Sequence, residues 1–306
     1  MFKTGYILSG RSDLFWFIAL PFLAIAAAFS AQAWLPAVAL GSVAVWITFP
    51  HHFATWLRTF GFGEDWRRYK DQLIIGGLTI LCITFIGLKW APLTFAALVT
   101  LWDHQHSLMQ QHGFTRIYDF KSGGGAPTTG RWDLALAWIL YGNLFITAPM
   151  FTTFWVREAY RFGVPLTRLN IDRIHAASWG LAATYLAAYV VHVFRSLRNG
   201  YTLNPIKYIF IGASYFLWYF CAWQTASVLV LGIAQRLMHG LQYIVMVYWY
   251  LRRKTEKAVP MNRVLHAIVQ PGHVLAFIGV CVLYTVLYQM VAGRPLEYFG
   301  FGVFNL

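Results

Sequence analysis

The sequence predicts an all-α protein: a polytopic transmembrane helical bundle of about nine spans, eight and ten being the neighbouring counts, with a cytoplasmic N-terminus. Three observations carry this. Hydrophobic residues make up 58% of the 306 positions and charged ones only 11%, with mean hydropathy +0.53; a water-soluble domain of this size cannot hide so much apolar surface. Apolar runs of about 20 residues, the length that crosses a hydrocarbon core, recur from end to end. With every Lys and Arg except Arg236 assigned to the side it lies nearer, seventeen fall on one side of the nine-span drawing and six on the other, and such a bias marks the cytoplasmic face.

The spans run 14–34, 37–58, 72–89, 91–113, 132–154, 174–196, 205–223, 227–251 and 265–291, so residues 1–306 read as one membrane domain. The first, Leu14 to Trp34, is too long for a signal h-region and reads as a retained helix. The third is short and the seventh rich in aromatics. Between the fourth and fifth lies KSGGGAPTTG, residues 121–130, whose consecutive glycines and Pro127 read as a flexible loop. Four arginines between 157 and 173 run against the charge bias, so any miscounted span lies there.

A net charge of +13 in a soluble protein would point to nucleic acid. In this chain the basic residues sit in loops facing anionic lipid, and no nucleic-acid-binding signature is present. Cys82, Cys221 and Cys281 are far apart inside apolar segments, which indicates neither a disulfide framework nor a CxxC metal site. GxSxG, GxxxxGK and GxGxxG are all absent. The fourteen Trp and seventeen Tyr fit the aromatic belts of bilayer interfaces.

Against this apolar background the histidines stand out. His51 and His52 fall near the cytoplasmic end of the second span, His104, His106 and His112 in the fourth, His192 in the sixth, His239 in the eighth, and His266 and His273 in the ninth. Most lie about 5 to 18 Å inside the cytoplasmic boundary at 1.5 Å rise per residue; only His175 falls on the far side. Taken singly, each is an ordinary hydrogen-bonded interior or interfacial residue, and His175 is structural. As a set at one depth they point to a metal, because neutral imidazole is the commonest metal ligand and polar groups inside a membrane mark function.

In LWDHQHSLMQQHGF, residues 101–114, Asp103, His106 and Gln110 share one helix face, and His104, Gln111 and, more loosely, His112 another. In QRLMHGLQY, residues 235–243, Arg236, His239 and Tyr243 align, with Gln235 and Gln242 beside them. Asp103, the one acid expected well inside a span, is the expected partner of Arg236. Pro50 loosens the helix ahead of His51 and His52, and Pro271 with Gly272 does so before His273. The expected metal ligands are His51, His52, His104, His106, His239 and His273, then His112 and His266. Asp103, Gln110, Gln111, Arg236 and Gln242 would orient them, and Tyr243 would donate a proton or hydrogen bond.

PHH at 50–52, DHQHSLMQQHG at 103–113 and MHGLQY at 238–243 resemble fragments of the histidine-rich integral-membrane non-haem iron oxidases, the desaturases and hydroxylases and the bacterial membrane carotene dioxygenases. The HxxxH and HxxHH boxes of the desaturases are not present. The resemblance implies iron (one or two ions, with copper the alternative), dioxygen and an apolar, lipid-type substrate. It also implies an electron-donor protein on the cytoplasmic face of a bacterial inner membrane. Two other classes stay open. A noncovalent haem on two of the histidines would make the chain a membrane cytochrome or quinone-linked oxidoreductase, and histidines carrying protons or metal ions would make it a transporter. An acidic-x-x-His pair occurs at Asp103/His106 and again at Asp172/His175, the pattern of di-iron bundles, but the nine-span drawing puts the two on opposite sides.

Overall fold

The computed structural model describes residues 1–257 and 263–298, and among these the only regular element besides helix is a single bridge between Phe2 and Leu203. The helices are α1 (Gly10–Trp34), α2 (Ala37–Phe60), α3 (Gly63–Trp90), α4 (Pro92–Ser122), α5 (Thr129–Thr147), α6 (Pro149–Arg161), α7 (Arg168–Arg198), α8 (Pro205–Gln224), α9 (Val228–Thr255), α10 (Arg263–Ile268) and α11 (Val274–Tyr298). Four of them, α1, α3, α7 and α9, are long and apolar enough to cross a membrane. A fifth span results if α5 and α6, bent by 73° at their junction, count as one.

Local chemistry sets the helix ends. Ser9 caps α1, Thr167 caps α7 and Asn204 caps α8, each accepting a backbone N–H from the first turn. Pro149 and Pro205 occupy first-turn positions, where a missing N–H costs nothing. Ala148 has an extended ψ of 135°, so the expected straight span 132–154 is in fact two helices meeting at the Ala148–Pro149 step. The expected ninth span is likewise interrupted: α10 ends at Ile268, Gly272 takes a φ of +82°, and α11 starts at Val274. Gly123, Gly124 and Gly125 all have positive φ, which ends α4 and forms the expected loop.

The chain gathers into two compact units: residues 1–40 with 101–238, and residues 41–100 with 239–306. In the first, α1 packs on α8 and α5 on α7. Phe17, Phe114, Tyr118 and Phe210 make a mainly edge-to-face aromatic core, with Phe17 and Phe114 centred 5.1 Å apart and the Tyr118–Phe210 pair tilted. The N-terminal arm is tied down by the Asp13 carboxylate, which accepts the N–H groups of Ile7 and Leu8 at 2.8 and 2.9 Å. Asn204 ties it again by donating to the carbonyls of Gly5 and Tyr118. A side chain at Gly5 would lie 2.7 Å from the Lys121 carbonyl, so the arm needs glycine there.

In the second unit, Ala54 and Phe62 pack with Ile244, Val247, Tyr248 and Leu251 of α9, and with Leu265, Val269, Phe277 and Cys281. The Tyr248 hydroxyl donates 2.6 Å to the Gln270 carbonyl and pins the break between α10 and α11. No residue of α3 is buried. Its face from Leu73 to Leu88 is apolar and open, as a lipid-facing helix requires.

Candidate functional site

Two polar constellations are embedded in these apolar units. The one in the second unit is built on α2 and α9. His51 and His52 follow Pro50 inside α2, which continues unbroken as a helix through the proline. Adjacent helical positions point about 100° apart, so the His51 ring is half-buried while His52 is exposed, with ring centres 4.3 Å apart. The His239 ring, 3% exposed, stands edge-on to His51 at 5.3 Å. Tyr243, one turn further along α9, is 6.1 Å from His51, and its hydroxyl oxygen accepts from Thr55 at 3.2 Å. Gly240 faces this junction, and a Cβ there would lie 3.7 Å from both His51 Cβ and the Ile47 carbonyl. Gln242 is fully buried in the same stretch of α9.

Two imidazoles on one tetrahedral ion, at metal–nitrogen distances of about 2.0–2.1 Å, have ring centres roughly 5 Å apart. The His51–His239 separation matches that value. Among the described residues, no group of three or more His, Cys, Asp or Glu side chains is already arranged to hold an ion.

The remaining expected ligands are placed differently. His266 is exposed on α10, where Gln270 contacts its ring from the next turn. His273 is exposed, and its Nδ1 lies 2.9 Å from the Ala267 carbonyl. In the first unit, His106 is on the exposed side of α4, and His104 packs half-buried against Tyr141 and Phe151. Gln110 is half-buried, and Gln111 accepts a 3.0 Å hydrogen bond from Ser214. Arg236 does take Asp103 as its partner, at 3.4 Å, and the neighbouring Gln235 donates to Ser107 at 2.7 Å. His175, read as structural, is 3.1 Å from the Thr152 hydroxyl.

The second constellation lies in the first unit and centres on charged residues that the histidine pattern does not mark. Lys207, with no exposed surface, places Nζ 2.8 Å from Asp119 Oδ2 and 2.6 Å from Asp133 Oδ2. Arg116 reaches the same two oxygens at 2.6 and 3.5 Å, and the Tyr189 hydroxyl donates to Asp133 Oδ1 at 2.7 Å. Asp103 is therefore not the one acid drawn inside the protein, since Asp13, Asp119 and Asp133 are all buried. Two acids and two bases balance, which offsets the large cost of taking charge out of water. Burial pushes the Asp119 carboxyl up from its ordinary value, and the Lys207 ammonium beside it pulls it back down. Next to Asp133 is a cavity of about 20 Å³ lined also by Gln111, His112, Thr115 and Ser214, room for a single water. His112 has a buried Nδ1 without a hydrogen-bond partner among the described residues. One signal was available: Lys207 and Asp133 each fall just inside a drawn span, where a lone charge demands a partner.

Comparison with family models, with curated proteins and with solved structures gives no match for this chain. Its class therefore rests on the fold and the site: the described residues are all-helical, with four or five apolar helices able to cross a membrane, compatible with an integral membrane protein.

Proposed function

We propose that the protein is a membrane-embedded, metal-dependent oxidoreductase of the oxygenase or desaturase type that acts on a lipid-soluble substrate. The observation that carries this reading is the His51–His239 approach at 5.3 Å within an apolar helix pair. His51 and His239 are the first two ligands of the ion, and His52, 4.3 Å from His51, is the nearest further imidazole. Iron suits imidazole ligands with open positions for dioxygen, and copper is the alternative. A bound ion of this kind supplies dioxygen activation. The chain's own residues orient and protect: Thr55 fixes the Tyr243 hydroxyl beside the histidines, where it can hold a proton, and the apolar helices keep water away.

The finer topology belongs to the same proposal. The chain crosses a bacterial cytoplasmic membrane nine times with its N-terminus inside, α5/α6 and α10/α11 each forming one interrupted span. Substrate enters laterally from the lipid, and reducing equivalents come from a donor protein on the cytoplasmic face. Elemental analysis of the purified protein with its absorption spectrum tests the reading. Iron or copper without a Soret band supports it, a Soret band moves the assignment to a haem protein, and no metal rejects it.

The buried Lys207–Asp133 pair beside its water-sized cavity favours a second reading, proton transfer through the first unit. Proteoliposomes carrying an internal pH dye test it: a proton flux abolished by Asp133→Asn in a metal-free preparation would select transport over oxidation.

A further inference from the structure

A cleft of about 480 Å³, within the usual range for a ligand pocket, opens in the second unit where the end of α2, the start of α3 and the end of α9 meet. It lies apart from the histidines, and neither its charges nor its shape enter the proposed oxidation. Arg58, Glu64, Asp65, Arg68, Tyr250 and Lys254 supply its polar wall, and Leu73 begins its apolar edge. Lys254 and Asp65 neutralise each other at 2.5 Å with both side chains largely buried. Arg58 stands 5.5 Å over the Tyr250 ring, and Arg68 stands 5.3 Å over Tyr69. With Lys254 and Asp65 matched, Arg58 and Arg68 face Glu64 alone, which leaves the cleft one positive charge.

We propose that this cleft binds the phosphodiester headgroup of a monoanionic phospholipid. One negative charge closes the balance, whereas a dianionic phosphate overshoots it and a zwitterionic headgroup leaves it open. Guanidinium forks match phosphate oxygens in geometry as well as charge. The layout also follows a lipid's anatomy. From Arg68 to Leu73 the helix rises about 7.5 Å, and from Leu73 onward α3 is an exposed apolar wall on which acyl chains can lie. Basic pockets at the cytoplasmic ends of membrane helices are characteristic headgroup sites, and the proposed topology puts this loop on that side.

Native mass spectrometry of the detergent-purified full chain, supplemented with phosphatidylglycerol, phosphatidylethanolamine or inorganic phosphate, tests the proposal. The wild type should retain one phosphatidylglycerol. The variant Arg58→Gln/Arg68→Gln should weaken retention about tenfold or more, the effect of losing charge-assisted hydrogen bonds. Arg67→Gln should leave retention unchanged, because Arg67 lies in the same turn but bonds to the Gly63 carbonyl and does not line the cleft. Equal retention by the double variant and the wild type would overturn the proposal, and so would equal retention of phosphatidylethanolamine. Thermal stabilisation by inorganic phosphate that matches the phosphatidylglycerol effect would reassign the cleft to a free phosphate. If the double variant does not fold, Glu64→Gln carries the test: it should strengthen phosphatidylglycerol retention, and no change would overturn the assignment.

Discussion

Lys207 Nζ lies 2.6 Å from Asp133 Oδ2, with no exposed surface on the lysine and 2% on the aspartate side chain. Removing one member of such a pair strands the other's charge, at a cost of about 3–5 kcal/mol. Lys207→Met should therefore lower unfolding stability by about that amount, measured by chemical denaturation in detergent. Adding Asp133→Asn should recover part of the loss, because Arg116 and Asp119 then balance by themselves. A Lys207→Met protein as stable as the wild type would mean the cluster is not buried as a charged unit.

The Arg236–Asp103 pair, by contrast, should contribute little. It is long, at 3.4 Å, and its side chains are 35% and 41% exposed, so screening leaves at most about 1 kcal/mol. A double-mutant cycle with Arg236→Gln and Asp103→Asn checks this, and a coupling several times larger would contradict it.

Hydropathy made the helices legible because it is a local property. Drawn spans at 14–34, 37–58, 205–223 and 227–251 correspond to Gly10–Trp34, Ala37–Phe60, Pro205–Gln224 and Val228–Thr255. The break at Ala148 carried a signal, Pro149, that a hydropathy window averages away. Charge pairing was legible where each span holds one odd charge, as for Arg236 and Asp103. Lys207 and Asp133 carry the same lone-charge signal, but each sits in the first turn of its drawn span, where a charge can reach the interface unaided, and the partners of Lys207 are 88 and 74 residues away. The sequence shows which helical stretch carries each histidine, but not its direction around the helix axis. Hence His51 and His239 meet, while His106, His266 and His273 turn to the exposed side of their elements.

Cysteine labelling checks the proposed topology. In a background with Cys82, Cys221 and Cys281 replaced, Thr128→Cys and Val164→Cys lie on exposed connections on either side of the α5/α6 pair. With α5 and α6 as one span, a membrane-impermeant reagent reaches Val164→Cys from outside intact cells and Thr128→Cys only after permeabilisation. Labelling of both from the same side would make the bent pair a re-entrant hairpin.

Gly240 gives a graded steric test of the helix pair. A Cβ there meets His51 Cβ at 3.7 Å, an ordinary contact, so Gly240→Ala should keep metal content within about twofold of wild type. Gly240→Leu overfills the contact and should push α2 off α9, with loss of bound metal and a normal helical circular-dichroism spectrum. Unchanged metal in Gly240→Leu would separate the ion from this junction.

The most direct measurement is metal stoichiometry in the wild type, His51→Ala, His239→Ala and His175→Ala, each purified as a folded protein and analysed for iron and copper. Metal is expected in the wild type and in His175→Ala, whose imidazole contacts Thr152 and the Trp155 ring, with a several-fold loss in each of the other two. A metal-free wild type, or the same loss in all three variants, would contradict it.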